Sequence, residues 1–348
     1  MQISIGQRLV GDDQPAFIIA EAGVNHNGDM VLAKKLIDAA REAGADAIKF
    51  QTFVTENLVT KQAGKATYQK RNDPDTTSQY EMLKRLELSE HDFQQLFRYA
   101  KRKGIFFLST AFDSESIGIV GRLNVPACKV PSGEITNLPY LKEVALLHKP
   151  VIMSTGMATL GEIHDAVSCL KENGSTEIIL LHCTTSYPAP AVSVNLRAIE
   201  TLRKEFGVPA GYSDHTEGIA VPVAARALGA CVLEKHLTLD RNLPGPDHKA
   251  SLEPEEFTAM VAAVRVVEDA LGTGEKQPQD CELDNRQIAR KSIVASADIP
   301  AGTRIGAAMV AIKRPGTGIE PRYFEQVVGK RARCAIKKES VLSWDMIE

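Results

Sequence analysis

Eight short runs of apolar residues, spread over the first 240 residues of the chain, place the strongest constraint on its fold. They cover residues 16 to 23, 46 to 52, 105 to 112, 127 to 134, 150 to 157, 178 to 187, 208 to 215 and 231 to 240. The runs are nearly continuous rather than alternating, which is typical of parallel strands that are covered on both faces. Segments with helical periodicity lie between most of them, at 32 to 44, 90 to 103, 160 to 172, 195 to 206, 218 to 228 and 254 to 271.

Eight β/α units in about 270 residues predict an α/β fold, a (β/α)8 TIM barrel. An open doubly wound sheet is the main alternative, but no G-x-G-x-x-G motif follows the first apolar run. We therefore expect the barrel to occupy residues 1 to 272.

The character of the sequence changes after the last helical segment. Residues 273 to 285 are polar, which is typical of a linker. Residues 286 to 348 combine residues that favour turns with short runs that favour β-strands. The sequence thus predicts a small β-rich domain at the C-terminal end. A domain of about 60 residues is marginal alone, so we expect it to pack on the barrel or on a second subunit.

Charge and hydropathy exclude several classes of partner. The chain has 41 basic and 44 acidic residues, and this nearly neutral balance gives no strong positive potential that would attract nucleic acid or anionic lipid. No apolar run approaches the length of a membrane span, and the first 15 residues lack the pattern of a signal peptide. We expect a cytoplasmic protein with neither membrane nor nucleic-acid partners. The six cysteines contain no C-x-x-C pair, which favours free thiols.

Polar side chains end each apolar run, and in a barrel the C-terminal ends of the strands surround one cavity. This convergence indicates an enzyme. Two lysines and four hydroxyls among these residues have the chemistry of a phosphate or carboxylate site: Lys49, Thr110, Lys129, Ser132, Ser154 and Ser213. Any one of the hydroxyls alone could equally cap the helix that follows it.

His215 and His236 each end an apolar run, and the two runs are consecutive. Either imidazole could be a hydrogen-bonded structural residue, but as a pair they suit Mn²⁺, Fe²⁺ or Zn²⁺ rather than Ca²⁺. Three carboxylates, Glu21, Glu134 and Asp247, are candidates for binding sugar hydroxyls or for acid/base chemistry. The polar segment from residue 53 to 88 is long for a βα connection, so we expect a lid or a specificity element there.

Ten motifs in order along the chain resemble those of the bacterial sialic acid synthase family. They are AEAGVNHNGD, IKFQTF, STAF, KVPSGE, STGM, LHCTTSYPAP, GYSDHTEG, EKHLTLD, GPDH and KRPGTGI. The resemblance covers essentially the whole chain, and its tail is similar to the antifreeze-like (SAF) domain of that family.

The resemblance implies a transferase that condenses phosphoenolpyruvate with the open-chain form of N-acetylmannosamine. The expected products are N-acetylneuraminate and phosphate, released by C–O cleavage. The alternative within the family is an N,N′-diacetyllegionaminate or pseudaminate synthase that uses a 2,4-diacetamido-trideoxyhexose. Two hypotheses from other classes are a metal-dependent aldolase or lyase without a phosphate pocket, and a sugar-binding protein without catalytic activity.

Residue roles also follow from the resemblance. It implies that His215 and His236 bind a divalent metal, Mn²⁺ first, with Mg²⁺ or Co²⁺ as alternatives. Phosphoenolpyruvate is then expected on Lys49, Thr110, Lys129, Ser132, Ser154 and Ser213, and the sugar on Gln51, Glu134, Tyr187 and Asp247. Glu21 is expected to be the acid/base residue. Arg314 of the tail is expected to enter the active site of the partner in a domain-swapped homodimer.

Overall fold

A computed structural model describes all 348 residues, which form two compact units, Met1–Gly272 and Thr273–Glu348. The first unit contains ten strands: β1 (Gln2–Ile5), β2 (Arg8–Gly11), β3 (Phe17–Gly23), β4 (Ala47–Thr52), β5 (Phe106–Ala111), β6 (Cys128–Val130), β7 (Val151–Ser154), β8 (Ile178–Cys183), β9 (Ala210–Asp214) and β10 (Val232–His236). Strands β3 to β10 close into a parallel barrel in chain order, with β10 paired to β3.

The prediction of a TIM barrel is confirmed, because each of the eight apolar runs contains one barrel strand. Every residue of β3 is buried, as expected for a strand that packs against the barrel interior on one face and helices on the other. The antiparallel hairpin β1–β2 precedes the barrel and was not predicted. Its side chains Ile3, Ile5 and Val10 pack with residues of the barrel interior.

The helices of the first unit are α1 (Met30–Glu42), α2 (Thr55–Leu58), α3 (Thr67–Asn72), α4 (Gln79–Leu86), α5 (Glu90–Lys103), α6 (Ser114–Leu123), α7 (Leu138–Ala145), α8 (Leu160–Glu172), α9 (Ala198–Phe206), α10 (Ala220–Ala227) and α11 (Pro254–Leu271). Local signals set many of their ends. Helix α5, for example, starts at a capping box between Ser89 and Asp92 and stops at Gly104, which adopts a left-handed conformation.

The segment after β4 holds α2, α3 and α4. These short helices pack on an apolar cluster that consists of Val24, Phe53, Met82 and Leu86. An isolated helix of four to eight residues is unstable in water, so tertiary contacts of this kind must stabilise them. The segment is therefore an ordered part of the barrel mouth.

The second unit contains α12 (Leu283–Ala289), β11 (Ser292–Ala295), β12 (Val310–Lys313) and α13 (Phe324–Val327). Strands β11 and β12 pair antiparallel, and the unit has its own apolar core around Ile293, Val327 and Ile336. Residues 273 to 285 are exposed. In neither unit is a helix long and apolar enough to cross a membrane.

Candidate active site

A cavity of about 720 Å³ opens at the C-terminal ends of the barrel strands, and we call it the main cavity. Each of the eight strands contributes at least one side chain to it: Glu21, Lys49, Gln51, Thr110, Lys129, Ser154, Cys183, Ser213, Glu234 and His236. Because side chains alternate along a strand, residues two apart, such as Glu234 and His236, point into the same space.

Most of the predicted site residues line the main cavity: Glu21, Lys49, Gln51, Thr110, Lys129, Ser132, Ser154, Tyr187, Ser213, His215 and His236. Three do not. Asp247 lines an adjoining cavity, while Glu134 lines neither cavity and accepts a hydrogen bond from the side chain of Asn137 at 2.7 Å. Arg314 belongs to the second unit, where its exposed guanidinium donates to the carbonyl of Ala289.

Both predicted lysines are buried and already have carboxylate partners. The Lys49 ammonium lies 2.6 Å from a carboxylate oxygen of Glu21 and donates to the Thr110 hydroxyl at 2.9 Å. Lys129 donates to the hydroxyl of Ser154 at 2.8 Å. Two hydroxyls of the predicted anion site thus fix the positions of the two ammonium groups.

Glu234 is the main site residue that sequence reasoning missed, although it lies within the EKHLTLD motif. Its carboxylate lies 3.6 Å from the Lys129 ammonium and 3.8 Å from that of Lys49. It also accepts a hydrogen bond from Ser213 at 3.0 Å. With Glu21, this residue balances the charge of the two lysines, which would otherwise be two unpaired buried cations.

The two carboxylates titrate differently. Burial raises the pKa of Glu21 to about 7, and the nearby Lys49 only partly opposes this. Burial acts in the same direction on Glu234, but the charges of Lys129 and Lys49 outweigh it and hold its pKa below the usual value. Glu21 is therefore the carboxylate that can exchange a proton near neutral pH.

The two histidines face each other, with ring centroids 5.4 Å apart, and the Tyr187 ring lies against both. Nδ1 of His215 donates to the carbonyl of Thr184 at 2.9 Å, which leaves the lone pair on Nε2. His236 Nδ1 is buried without a hydrogen-bond partner. Burial and the positive charge of neighbouring groups hold the pKa of His236 well below its usual value, so the ring is neutral.

Burial lowers the pKa of His215, but the contact of its ring with the Cys183 thiol outweighs this and raises that pKa above its usual value. Metal binds the neutral form of imidazole, so His236 is already in that form and His215 would release a proton when a divalent cation binds. No group of three His, Cys, Asp or Glu side chains is arranged to hold a metal ion. The pair would therefore supply two ligands, and water or substrate would supply the others.

The segment from residue 53 to 88 adds six residues to the lining of the main cavity that the sequence did not single out: Ala66, Thr67, Tyr68, Gln69, Arg71 and Gln79. The Tyr68 ring stacks on Tyr187 with centroids 4.9 Å apart. The predicted role of this segment in specificity would depend on side chains that face the cavity. Local sequence patterns do not show which side chains these are.

A second cavity, of about 250 Å³, adjoins the main cavity, and we call it the side cavity. The two cavities share seven lining residues, which are Gln51, Tyr68, Gln69, Gln79, Phe112, Tyr187 and His236. Its remaining wall is mostly apolar and includes Val24, Phe53, Leu58, Val59, Met82, Leu83 and Leu86. The carboxylate of Asp247 also lines it.

Alternation along β10 turns Lys235 away from the cavities. Its ammonium pairs with Asp214 at 2.6 Å, and both side chains are fully buried. Asp214 also accepts a hydrogen bond from Tyr212. This ion pair is structural, and it separates Lys235 from the cavity lysines Lys49 and Lys129.

Comparisons with known proteins agree with this geometry. The NeuB family model matches residues 36–276, and the SAF domain model matches residues 290–348. The chain is 49% identical to N,N'-diacetyllegionaminic acid synthase of Legionella pneumophila, over 97% of this chain and 96% of that protein. It is 48% identical to the Campylobacter jejuni protein of the same name, over 93% and 98%.

Among solved structures, an N-acetylneuraminic acid (sialic acid) synthetase from Leptospira borgpetersenii, in complex with citrate, superposes with a TM-score of 0.73. Its sequence identity is 36%, and the match covers 82% of this chain and 95% of that one. The expected family resemblance is thereby confirmed. The chain belongs to the NeuB family and carries a SAF domain after its barrel.

Proposed function

We propose that this protein is an N,N′-diacetyllegionaminate synthase, which condenses phosphoenolpyruvate with a 2,4-diacetamido-2,4,6-trideoxyhexose. Two relatives that are 49% and 48% identical to the chain carry that name, whereas the similar N-acetylneuraminic acid synthetase is 36% identical. The comparisons thus favour the alternative over N-acetylmannosamine, which was the first expectation from the sequence.

One observation carries the reaction class: two buried ammonium groups and a pair of imidazoles line the same cavity. Lys49 and Lys129 are 3% and 4% exposed, and lysines are rarely buried this deeply without an anion to meet. A ligand with a phosphate and a carboxylate fits such a site. The hydroxyls of Ser132 and Ser154 lie in the same lining and only accept hydrogen bonds there, so each can donate to such a ligand, whereas the Ser213 hydroxyl donates to Glu234.

His215 and His236 would hold a divalent cation, for which we propose Mn²⁺, with Mg²⁺ or Co²⁺ as alternatives. When bound, such an ion acts as a Lewis acid toward the aldehyde oxygen of the sugar. The Tyr187 ring, which contacts both imidazoles, would orient the sugar beside them.

The reaction forms a bond between C3 of phosphoenolpyruvate and the aldehyde carbon, so positive charge develops at C2. The buried carboxylates of Glu21 and Glu234 favour that charge because Lys49 and Ser213 hold them in place. The aldehyde oxygen becomes an alkoxide in this step. Water adds to C2 and gives a proton to Glu21, as a carboxylate with a pKa of about 7 can accept, and Glu21 passes this proton to the alkoxide. The C2–O bond then breaks, and phosphate leaves while Lys49 and Lys129 hold it. The balance is phosphoenolpyruvate, aldehyde and water giving a nine-carbon 2-keto acid and phosphate.

We also propose the domain-swapped homodimer in which Arg314 enters the partner's active site. Its exposed guanidinium makes only one hydrogen bond within its own unit, to the carbonyl of Ala289, so donors are left over for a sugar amide oxygen.

A competition experiment tests the proposed function. The protein is incubated with phosphoenolpyruvate, Mn²⁺ and equal amounts of the two sugars, and the products are identified by mass spectrometry. We expect the diacetamido nonulosonate to predominate. Predominance of N-acetylneuraminate would contradict the sugar assignment, and pyruvate chemistry without phosphate release would favour an aldolase or lyase.

A further inference from the structure

The loop between β10 and α11, residues 237 to 253, forms part of the wall of the side cavity, and we call it the β10 loop. Pro246 and Asp247 are its two residues in that wall. Strand β10 pairs with β3, so the loop after β3, residues 24 to 29, is its neighbour. Contacts between these two loops therefore determine where the Asp247 side chain lies.

The side chain of Asn25, in the loop after β3, holds the β10 loop at two places. Its buried Nδ2 donates to the carbonyl of Leu237 at 2.9 Å, directly after the proposed metal ligand His236, and to the hydroxyl of Ser251 at 2.9 Å. That hydroxyl in turn donates to the main-chain carbonyl of Asp247 at 2.7 Å. A chain of two hydrogen bonds thus joins Asn25 to the main chain of Asp247.

A hydrogen bond between Asn27 and His248 joins the same two loops. The His248 ring is fully buried, with Nε2 3.2 Å from the side-chain oxygen of Asn27 and Nδ1 2.7 Å from the hydroxyl of Thr238. Burial lowers the pKa of His248 to about 4, so the ring is neutral and has one N–H group. The Asn27 oxygen can only accept, so this N–H group is the one at Nε2.

Gly245 shows how closely the two loops approach each other. A Cβ atom at this residue would lie 2.8 Å from the side-chain oxygen of Asn27 and 2.9 Å from Cδ2 of His248. Its φ of +144° is also one that L side chains rarely adopt. The GPDH motif thus combines Asp247, which lines the side cavity, with two residues that permit the contact to Asn27.

We propose that Asn25, Asn27 and His248 are positioning residues, which hold the β10 loop against the loop after β3 and so fix Asp247 for the sugar. None of the three lines either cavity, so they act through Asp247 and not by contact with a substrate. This inference rests on the proposed function, in which Asp247 contacts the sugar.

The proposal separates the two substrates. Lys49 and Lys129, which are proposed to hold phosphoenolpyruvate, belong to strands β4 and β6 and make no contact with either loop through their ammonium groups. Loosening of the β10 loop should therefore weaken the use of the sugar and leave the use of phosphoenolpyruvate unchanged. A general loss of structure would weaken both.

Asn27→Gly tests the proposal with little backbone strain, because the Asn27 φ of 52° is left-handed and glycine adopts it freely. The change removes the acceptor of the His248 N–H group, and one hydrogen bond shifts an equilibrium by up to about tenfold. Hydrogen–deuterium exchange of the protein without substrates should become about tenfold faster in the peptide that contains residues 245 to 252. The KM for the diacetamido sugar should rise about tenfold, with an unchanged KM for phosphoenolpyruvate.

Asn124→Gly is the matched control. Asn124 also has a left-handed φ, of 54°, and accepts one hydrogen bond, from Lys149, but it lies between α6 and β6 at the N-terminal ends of the strands. This variant should keep the wild-type exchange of the 245 to 252 peptide and both wild-type KM values.

Two changes at His248 test the hydrogen bond itself. His248→Gln keeps an N–H donor for Asn27 and should remain near wild type in both measurements, whereas His248→Leu should behave like Asn27→Gly. Ser251→Ala interrupts the hydrogen-bond chain from Asn25 to Asp247 and replaces Asn27→Gly if that variant fails to fold.

Wild-type exchange and a wild-type KM for the sugar in folded Asn27→Gly and Ser251→Ala would overturn the proposal. Faster exchange with an unchanged KM for the sugar would also overturn it, and so would an equal rise of both KM values. The exchange measurement needs neither substrate nor metal. It therefore still tests the contact between the loops if the absence of phosphate release shows that the proposed function is wrong.

Discussion

The substitution Glu234→Gln tests the charge balance of the main cavity. In the wild type, the Glu234 carboxylate lies 3.6 Å from Lys129 and 3.8 Å from Lys49, and the residue is 5% exposed. Glutamine keeps the shape but removes the negative charge. The two buried ammonium groups are then left with Glu21 alone.

The size of the effect follows from this burial. Removing one partner from a buried ion pair costs about 3–5 kcal/mol, since the other charge stays buried without compensation. For a domain of this size, about 1 kcal/mol corresponds to a Tm change of about 2–4 °C, so the melting temperature should fall by about 6–20 °C. Phosphoenolpyruvate replaces the lost negative charge, so it should raise Tm more in the variant than in wild type.

Thermal unfolding with and without saturating phosphoenolpyruvate measures both quantities. Glu205→Gln is the matched control, because Glu205 forms an exposed pair with His164 and its loss should cost at most about 0.5 kcal/mol. A Glu234→Gln variant that melts with wild type would refute the charge-balance reasoning. An equal ligand-induced shift in both proteins would show that the anion does not bind at the lysines.

Three further changes separate chemistry from stability. His215→Ala and His236→Ala should each remove metal-dependent turnover while the circular dichroism spectrum is retained; full activity of a chelator-treated variant would contradict the metal assignment. Asp214→Asn leaves Lys235 buried without its anion and should cost about 3–5 kcal/mol in urea denaturation, with unchanged KM for both substrates; altered KM without lost stability would place the pair in the site. Arg314→Ala should raise the KM for the sugar and leave Tm unchanged, and an unchanged KM would count against the domain-swapped arrangement.

The barrel could be predicted because its strands are buried on both faces and therefore read as continuous apolar runs. Helices α6 and α7 were not identified. They are short, and Gly118 and Gly121 weaken the helical signal of α6. The three helices between residues 53 and 88 depend on contacts with Val24 and Phe53, so local periodicity could not reveal them.

The sequence predicted those cavity residues that lie at the C-terminal ends of the barrel strands. Glu234 was not singled out, because its role depends on Lys49 and Lys129, which lie far from it in the sequence. A period-2 count backward from His236 would have placed it on the same face. Asp247 was singled out from the sequence, but its place in the side cavity depends on segments that lie far from it in the chain.

Steady-state phosphate release, measured with phosphoenolpyruvate and each sugar separately, tests the proposed function most directly. The proposal predicts release that requires both substrates, with a kcat/KM for the 2,4-diacetamido-2,4,6-trideoxyhexose at least about tenfold above that for N-acetylmannosamine. Equal or reversed kcat/KM values would contradict the assigned sugar. Release of phosphate without any sugar, or no release with either sugar, would contradict the assigned reaction.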